Sequence, residues 1–467
     1  MFLSAISRWG KKDFRCWLAA IAIAIAFILH GINANSEVQS TWLIAVALLC
    51  WVTGTLPGWW AGLLLMTMTV LFKIAPVSVS LAGMISSATW MVLAGIVLGE
   101  AIEQTGLGQR LAMMISPWLR GKFSSAIWGS MLLGIMMMFI MPSAMSRVLL
   151  LLPLLAAIAD ELGYSKGRPG RTGIIMAGVL GTYLPATAVL PANIPNNVLA
   201  GAVESLLGQG PQYGTYLLLH FPVLGILKII MLGMILNVIY RDDPPSCEVH
   251  VRSWRSEEDV SPRHQQQKLA ILLLVTVVLW CTESIHGLGA AWVGMLAAMI
   301  CLCPGTGLLS PRPLKQLDFG PVFYVAGIVS MGTLAYHCGL ATDVARAFLQ
   351  WLPLSNNAPV TNFMALSGLS TAMGGLVTLP GVPAVLTPMT PTLANAAGWS
   401  EAATYMVQVV GFSTVWLPYQ APPLVMAIQS GHLSNREVIR MCLITAVLSV
   451  LILWPLDVLW WKCLGWL

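Results

Sequence analysis

Residues 190–196 read LPANIPN, and residues 417–423 read LPYQAPP. Each stretch puts at least two prolines and a side-chain carboxamide into the middle of a run otherwise apolar enough to be a membrane helix. Proline removes a backbone donor and clashes with the preceding turn, so each run must break where these residues stand. The fold therefore contains two interrupted helices, one in each half of the chain.

Composition fixes the class. Of 467 residues, 57% are hydrophobic and 9% charged, where a soluble domain carries about 25% charged residues. Mean hydropathy is +0.79. Apolar runs near the ~20 residues that cross a bilayer recur throughout, at 16–33, 41–54, 57–75, 86–104, 124–140, 144–160, 172–200 and 215–240. They continue at 268–286, 288–306, 321–338, 360–378, 382–397, 402–430 and 439–463. The chain reads as an all-α polytopic membrane protein. The net charge of +5 is spread over short clusters between apolar runs, not gathered in one patch, so nucleic acid is excluded as a partner. The nine cysteines are scattered, and Cys301-Leu-Cys303 has neither zinc-site spacing nor a nearby histidine. Neither a metal site nor disulfides are expected. The basic N-terminus before run 16–31 looks superficially like a secretory signal, but it reads as an uncleaved first helix.

The segment 241–267 is polar, lacks apolar periodicity and reads as a cytoplasmic linker. The domain expectation is a tail and first helix over 1–40, a first repeat over 41–240, this linker, and a second repeat over 268–467. Lys and Arg placement puts the N-terminus, the Arg110–Lys122 region, Lys166, Arg168, Arg171, Arg312, Lys315, Arg436 and Arg440 on the cytoplasmic side. These assignments agree only if 124–160 and 360–397 are re-entrant hairpins entering from opposite sides. That leaves about eleven full crossings, with the C-terminus outside.

The halves match in order. VLAGIVLGEAIEQTGL (92–107) parallels YVAGIVSMGTLAYHCGL (324–340), and MPSAMSRVLLLLPLLA (141–156) parallels LPGVPAVLTPMTPTLA (379–394). The two interrupted helices follow in turn. Oppositely oriented repeats with matched breaks indicate a secondary transporter whose site lies at the bilayer midplane. Freed backbone groups are tolerable there only if buried or facing a cavity. Helix N-termini favour anions, and Ser143, Asn193, Asn196, Asn197 and Gln420 can hydrogen-bond a carboxylate or sulfate. Freed carbonyls, with Ser413 or Thr414, can coordinate a cation.

This order of hairpin, Pro/Asn-rich broken helix, linker and LWCTESIHGLGAAWVGMLAAMICLCPGTGLLS (279–310) resembles the divalent anion/sodium symporter family of the ion transporter superfamily over roughly 40–465. The resemblance implies a homodimer whose hairpins and broken helices slide past a fixed scaffold, an elevator movement carrying dicarboxylate, citrate or sulfate. It implies no cofactor, with Na⁺ as the candidate coupling ion. The family's hairpin tips carry Ser-Asn-Thr. Here the first tip has Ser143 followed by Ala144 and Met145, and the second, Gly381-Val382-Pro383, has none of the three. The expected substrate site is Ser143, Ala144, Met145, Asn193, Asn196, Asn197, Gly381, Val382, Gln420, Pro422 and Pro423. Ser143, Asn196, Ser413 and Thr414 are the candidate Na⁺ ligands. The missing tip side chains point to a smaller or less polar anion, or to another coupling ion.

Arg147 has two readings. It either faces the cavity, or it snorkels or pairs with carbonyls ending the first hairpin arm. Glu100 and Glu103 read as surface partners of Arg110. Asp457, without an evident mate, is placed near the outer interface, with a proton-coupling role as its alternative. Met136, Met137 and Met138 read as packing, and the tryptophans near span ends, Trp460 and Trp461 among them, as an aromatic belt. Gly58 and Gly62 form a G-x-x-x-G, a candidate dimer contact. The overall expectation is an anion transporter coupled to Na⁺ or H⁺. Its alternatives are a cation/proton antiporter or oxyanion exporter of the same superfamily, or a membrane enzyme or receptor. No nucleophile elbow, P-loop or H-E-x-x-H supports an enzyme.

Overall fold

Prolines and helix-capping side chains punctuate the chain into helices. The computed structural model describes residues 11–32, 34–111, 114, 122–242, 263–310, 313–315 and 317–467. Arg8, Trp118, Arg312 and most of the 241–267 segment lie outside these. Helices α1 (Lys11–Gly31), α2 (Ser36–Thr53) and α3 (Gly58–Leu71) come first. Two single turns lead to α4 (Ser87–Thr105), whose start is capped by the Ser86 side chain accepting from the Ala88 N–H.

The first hairpin has arms α5 (Phe123–Ile140) and α6 (Ala144–Glu161). The first interrupted helix is α7 (Pro169–Tyr183), then the 3₁₀ turns Pro185–Ala188 and Leu190–Ala192, then α8 (Ile194–Leu207). Helix α9 (Tyr213–Ile239) contains a π-helical segment, Phe221–Leu227, around Pro222. After α10 (Arg263–Cys281) and α11 (Ala290–Leu302) come α12 (Gly320–His337) and α13 (Leu340–Leu349), bent by 78°. The second hairpin pairs α14 (Pro359–Val377) with α15 (Gly381–Leu386) and α16 (Thr390–Ala397). The second interrupted helix is α17 (Glu401–Phe412), a 3₁₀ turn at Pro418–Gln420, and α18 (Pro422–Gln429). Helix α19 (Asn435–Cys463) carries a second π segment, Ser449–Leu453, just before Pro455. No strand occurs among the described residues. Five described helices are long and apolar enough to cross a bilayer unaided, or six if the bent α12–α13 pair counts as one. Of the other expected spans, α4, α6 and α10 are as long but carry more polar residues, and the rest are shorter helices or interrupted ones.

Buried side chains form distinct clusters. The largest unites both hairpins, both interrupted helices, α9 and α19, and it encloses Met137 and Met138. A second joins α1–α4 to α12, and a third joins α4 to α10 and α11. Lipid supplies no hydrophobic drive between helices, so close backbone approach must do this work. A Cβ on Gly62 would stand 2.9 Å from the Gly327 Cα and the Phe323 carbonyl oxygen, and one on Gly58 would stand 2.8 Å from the Tyr324 ring. The G-x-x-x-G face thus packs on α12 of its own chain and is taken up there, contrary to its reading as a dimer contact. Gly134 of α5 meets the α7 backbone in the same way, at 2.8 Å from the Thr182 nitrogen.

Two further expectations change. Arg110 donates to Gln266 Oε1 (2.7 Å) and not to the glutamates, while Glu100 accepts from Gln104 (2.7 Å). Trp461 is no belt residue: it is fully buried against Phe363, His220 and Trp466. Gly62→Leu should lower the thermal unfolding midpoint in detergent, at a cost of about 1–3 kcal/mol from overpacking against backbone that cannot give way.

Candidate functional site

The two breaks leave backbone carbonyls that no helix can use, and side chains take them up. At the first break, Asn196 Nδ2 donates to the Ala186 (3.0 Å) and Val189 (2.8 Å) carbonyls, and the Tyr216 hydroxyl donates to the Thr187 carbonyl (2.7 Å). Asn193 Nδ2 donates to the Tyr183 carbonyl at 3.4 Å. The Arg147 guanidinium, fully buried, binds four oxygens. Its Nε donates to Thr182 Oγ1 (3.1 Å) and one terminal nitrogen to the Met141 carbonyl (2.5 Å). The other donates to the Thr182 (3.3 Å) and Ala192 (2.9 Å) carbonyls. Of its two readings, pairing with the carbonyls that end the first arm is the one observed, extended to the broken helix behind it.

At the second break, Lys228 Nζ, also fully buried, donates to the Ser413 carbonyl (2.8 Å) and Oγ (3.1 Å). Gln420 Oε1 accepts from the Trp416 (2.9 Å) and Leu417 (2.8 Å) N–H groups, and the Gln420 carbonyl accepts from Leu379 N–H (3.1 Å) at the second hairpin tip. Thr414 Oγ1 donates to Val410 (3.0 Å) and accepts from the Trp454 indole (3.2 Å). Asp457 does not lie at an interface, as expected of it. It is fully buried within electrostatic reach of Lys228, although beyond direct ion-pair distance. Lys228, at the end of the π segment, was not singled out in the sequence, because a lone lysine in an apolar run reads equally well as snorkelling.

A cavity of about 220 Å³ lies where the first hairpin tip and both breaks meet α4 and α12. It brings together Ser143, Ala144, Met145, Asn193, Asn197, Pro422 and Pro423 from the expected set. Asn196, Gly381, Val382 and Gln420 stand behind this wall, as do Ser413 and Thr414. Sequence reading missed Gly95 of α4, Tyr183, Tyr324 and Asp318, which also line it. The repeated motif holding Gly95 and Tyr324 was the available signal. Seven of its twenty lining residues are proline, so the donors are few and well defined. The first-turn N–H groups of Ala144 and Met145 have no intrahelical partner. Ser143 Oγ caps that turn by accepting from Ser146 N–H (3.3 Å). At α18, Pro422 and Pro423 supply no N–H, so that face is an apolar wall. Asn193 Oδ1 is buried and accepts no hydrogen bond. Asp318 is exposed, its Oδ1 accepting from Gly320 N–H (2.9 Å). No lysine or arginine lines the cavity; the positive end of α6 faces it, with Arg147 behind.

A family model described as the sodium:sulfate symporter transmembrane region matches residues 11–467. The chain belongs to that family. Several proteins are similar to this sodium:sulfate symporter family member. The chloroplastic dicarboxylate transporter 2.2 of Arabidopsis thaliana is 22% identical over 96% of this chain and 84% of its own length. The L-tartrate/succinate antiporter of Escherichia coli is 20% identical over 83% and 81%. The inorganic phosphate transporter PHO87 of Saccharomyces cerevisiae is 24% identical over 73% of this chain, a match that spans only 37% of the yeast protein. In fold, the chain is similar to the crystal structure of the Alcanivorax borkumensis YdaH transporter. The TM-score is 0.59 at 14% identity, covering 92% of this chain and 99% of that one.

Asn196→Ala should act on the break and not on the cavity wall. It strands two buried carbonyls and so should cost about 2 kcal/mol, read as a lowered unfolding midpoint.

Proposed function

We propose that this chain is a secondary transporter of a small oxyanion, such as a dicarboxylate, sulfate or phosphate. One observation carries the reading: Ser143, Ala144 and Met145, at the N-terminus of α6 with the last two bearing N–H groups free of intrahelical partners, line a cavity walled by both helix breaks and by no basic side chain. A helix N-terminus presents preoriented donors and positive potential to an anion. The names of the relatives, a phosphate, a dicarboxylate and a tartrate/succinate transporter, support the same class.

In this reading residues 41–240 and 268–467 are inverted repeats, joined by the 241–267 linker and preceded by 1–40. The protein is a multi-pass membrane protein with about eleven crossings, N-terminus cytoplasmic and C-terminus outside, working as a homodimer. The substrate contacts are Ser143, Ala144, Met145, Asn193, Asn197, Pro422 and Pro423, with Asn196, Gly381, Val382 and Gln420 shaping them from behind. The elevator movement is what the family resemblance implies: hairpins and broken helices would slide past the α2–α4 and α10–α12 helices. One tie between them would have to part during that movement: the Glu204 carboxylate of α8 accepts from the Ser87 N–H (2.9 Å) and Oγ (2.5 Å) at the start of α4. Transport is coupled to Na⁺, to H⁺ or to a counter-moving anion.

Sulfate, phosphate, succinate and tartrate, each titrated into purified protein, should include at least one that raises the unfolding midpoint and is taken up by proteoliposomes. Ser143→Ala should weaken that ligand about tenfold, the loss of one hydrogen bond to a charged group. Stabilisation by neutral or cationic solutes alone would sink the anion reading.

A further inference from the structure

Freed carbonyls at a broken membrane helix, together with serine or threonine hydroxyls, form a natural cradle for a small cation. In this chain a buried cationic side chain reaches into each cradle, while the Asn193 and Asn196 Oδ1 atoms at the first break accept no hydrogen bond. At the first break the Arg147 guanidinium draws together the carbonyl just past α5 (Met141, 2.5 Å), the end of α7 (Thr182 carbonyl, 3.3 Å, and Oγ1, 3.1 Å) and the 3₁₀ turn before α8 (Ala192, 2.9 Å). At the second, the Lys228 ammonium takes the carbonyl (2.8 Å) and hydroxyl (3.1 Å) of Ser413 just past the end of α17. Both cations have no accessible surface. Ser413 and the first break are where a coupling Na⁺ was expected, and the Ser413, Thr182 and Ala192 carbonyls there already accept from these two cations. A Na⁺ about 4 Å from the Arg147 charge would also be repelled, by on the order of a thousandfold in affinity.

The charges differ in a useful way. Lys228 has the buried Asp457 carboxylate within electrostatic reach. Arg147 forms no ion pair among the described residues. One fixed positive charge therefore stays behind the α6 and α8 ends of the cavity, where a co-bound cation would otherwise supply it.

We infer that Arg147 and Lys228 are built-in replacements for a co-transported cation, so that the chain binds and carries its anion without sodium. This rests on the anion-transport reading for its consequence, but the occupancy of the two cradles can be tested by itself. Purified wild-type protein would be titrated with NaCl against choline chloride at constant ionic strength, alone and with the anion that stabilises it, reading the unfolding midpoint. The same titration would be run on Lys228→Ala, which bares the Ser413 oxygens and removes the positive charge near the buried Asp457. The expected result is no sodium-specific shift for the wild type and unchanged anion affinity in choline. Lys228→Ala, starting from a lower midpoint, should gain a sodium-specific rise. A sodium-specific rise in the wild type, or anion binding lost in choline, overturns the inference whether or not the variant folds. A folded variant indifferent to sodium also overturns it at the second break. If no anion stabilises the protein, the transport reading fails, while the sodium titration alone still decides who fills the cradles.

Discussion

Every carbonyl freed by a broken helix must find a donor inside the protein, because the bilayer core offers none. That constraint organises this molecule. The breaks at 184–193 and 413–421 would be untenable as bare backbone. What surrounds them is a set of donors: Asn196 in the first turn of α8, Tyr216 and Lys228 from α9, and Arg147 from α6. The cavity exists because these donors turn toward the backbone, leaving helix N-termini, prolines and a few small side chains as its lining.

Specificity then follows from what is absent at the wall as much as from what is present. Proline at 422 and 423 removes donors from one side, whereas Ser143 and the first turn of α6 supply them on the other. The site is therefore polar at one end and apolar at the other. Ala144 and Met145 add no polar side chain to the polar end.

Much of this was legible in the sequence. Prolines and asparagines mark the hairpin turns and the breaks, since they act locally through missing donors and fixed torsions. The arms fall within a residue or two of their expected limits: 124–140 is found as 123–140, and 144–160 as 144–161. What local pattern could not supply was partnership across long sequence separations. Gly62 carried a motif shared by countless membrane helices, and only the fold selects Gly327 as its neighbour. Asp457 and Lys228 each look solitary until α9 and α19 lie side by side. Asn196 was legible as a polar group at the break, but not as one that serves the backbone instead of the ligand.

The π-helical segments of α9 and α19 have a further consequence. Each accommodates one more residue per turn than an α-helix would, so everything after it is rotated by about 100° relative to an uninterrupted helix. Lys228 follows directly on Phe221–Leu227, and Asp457 lies four residues past Ser449–Leu453. Both charged side chains owe their inward aim to these locally underwound turns beside Pro222 and Pro455. The phase of two helices, set by single surplus residues, decides whether a lysine and an aspartate meet the protein's interior or the lipid. A one-residue deletion within either π segment would thus turn the part of that helix after it by about 100°, carrying Lys228 or Asp457 away from the interior.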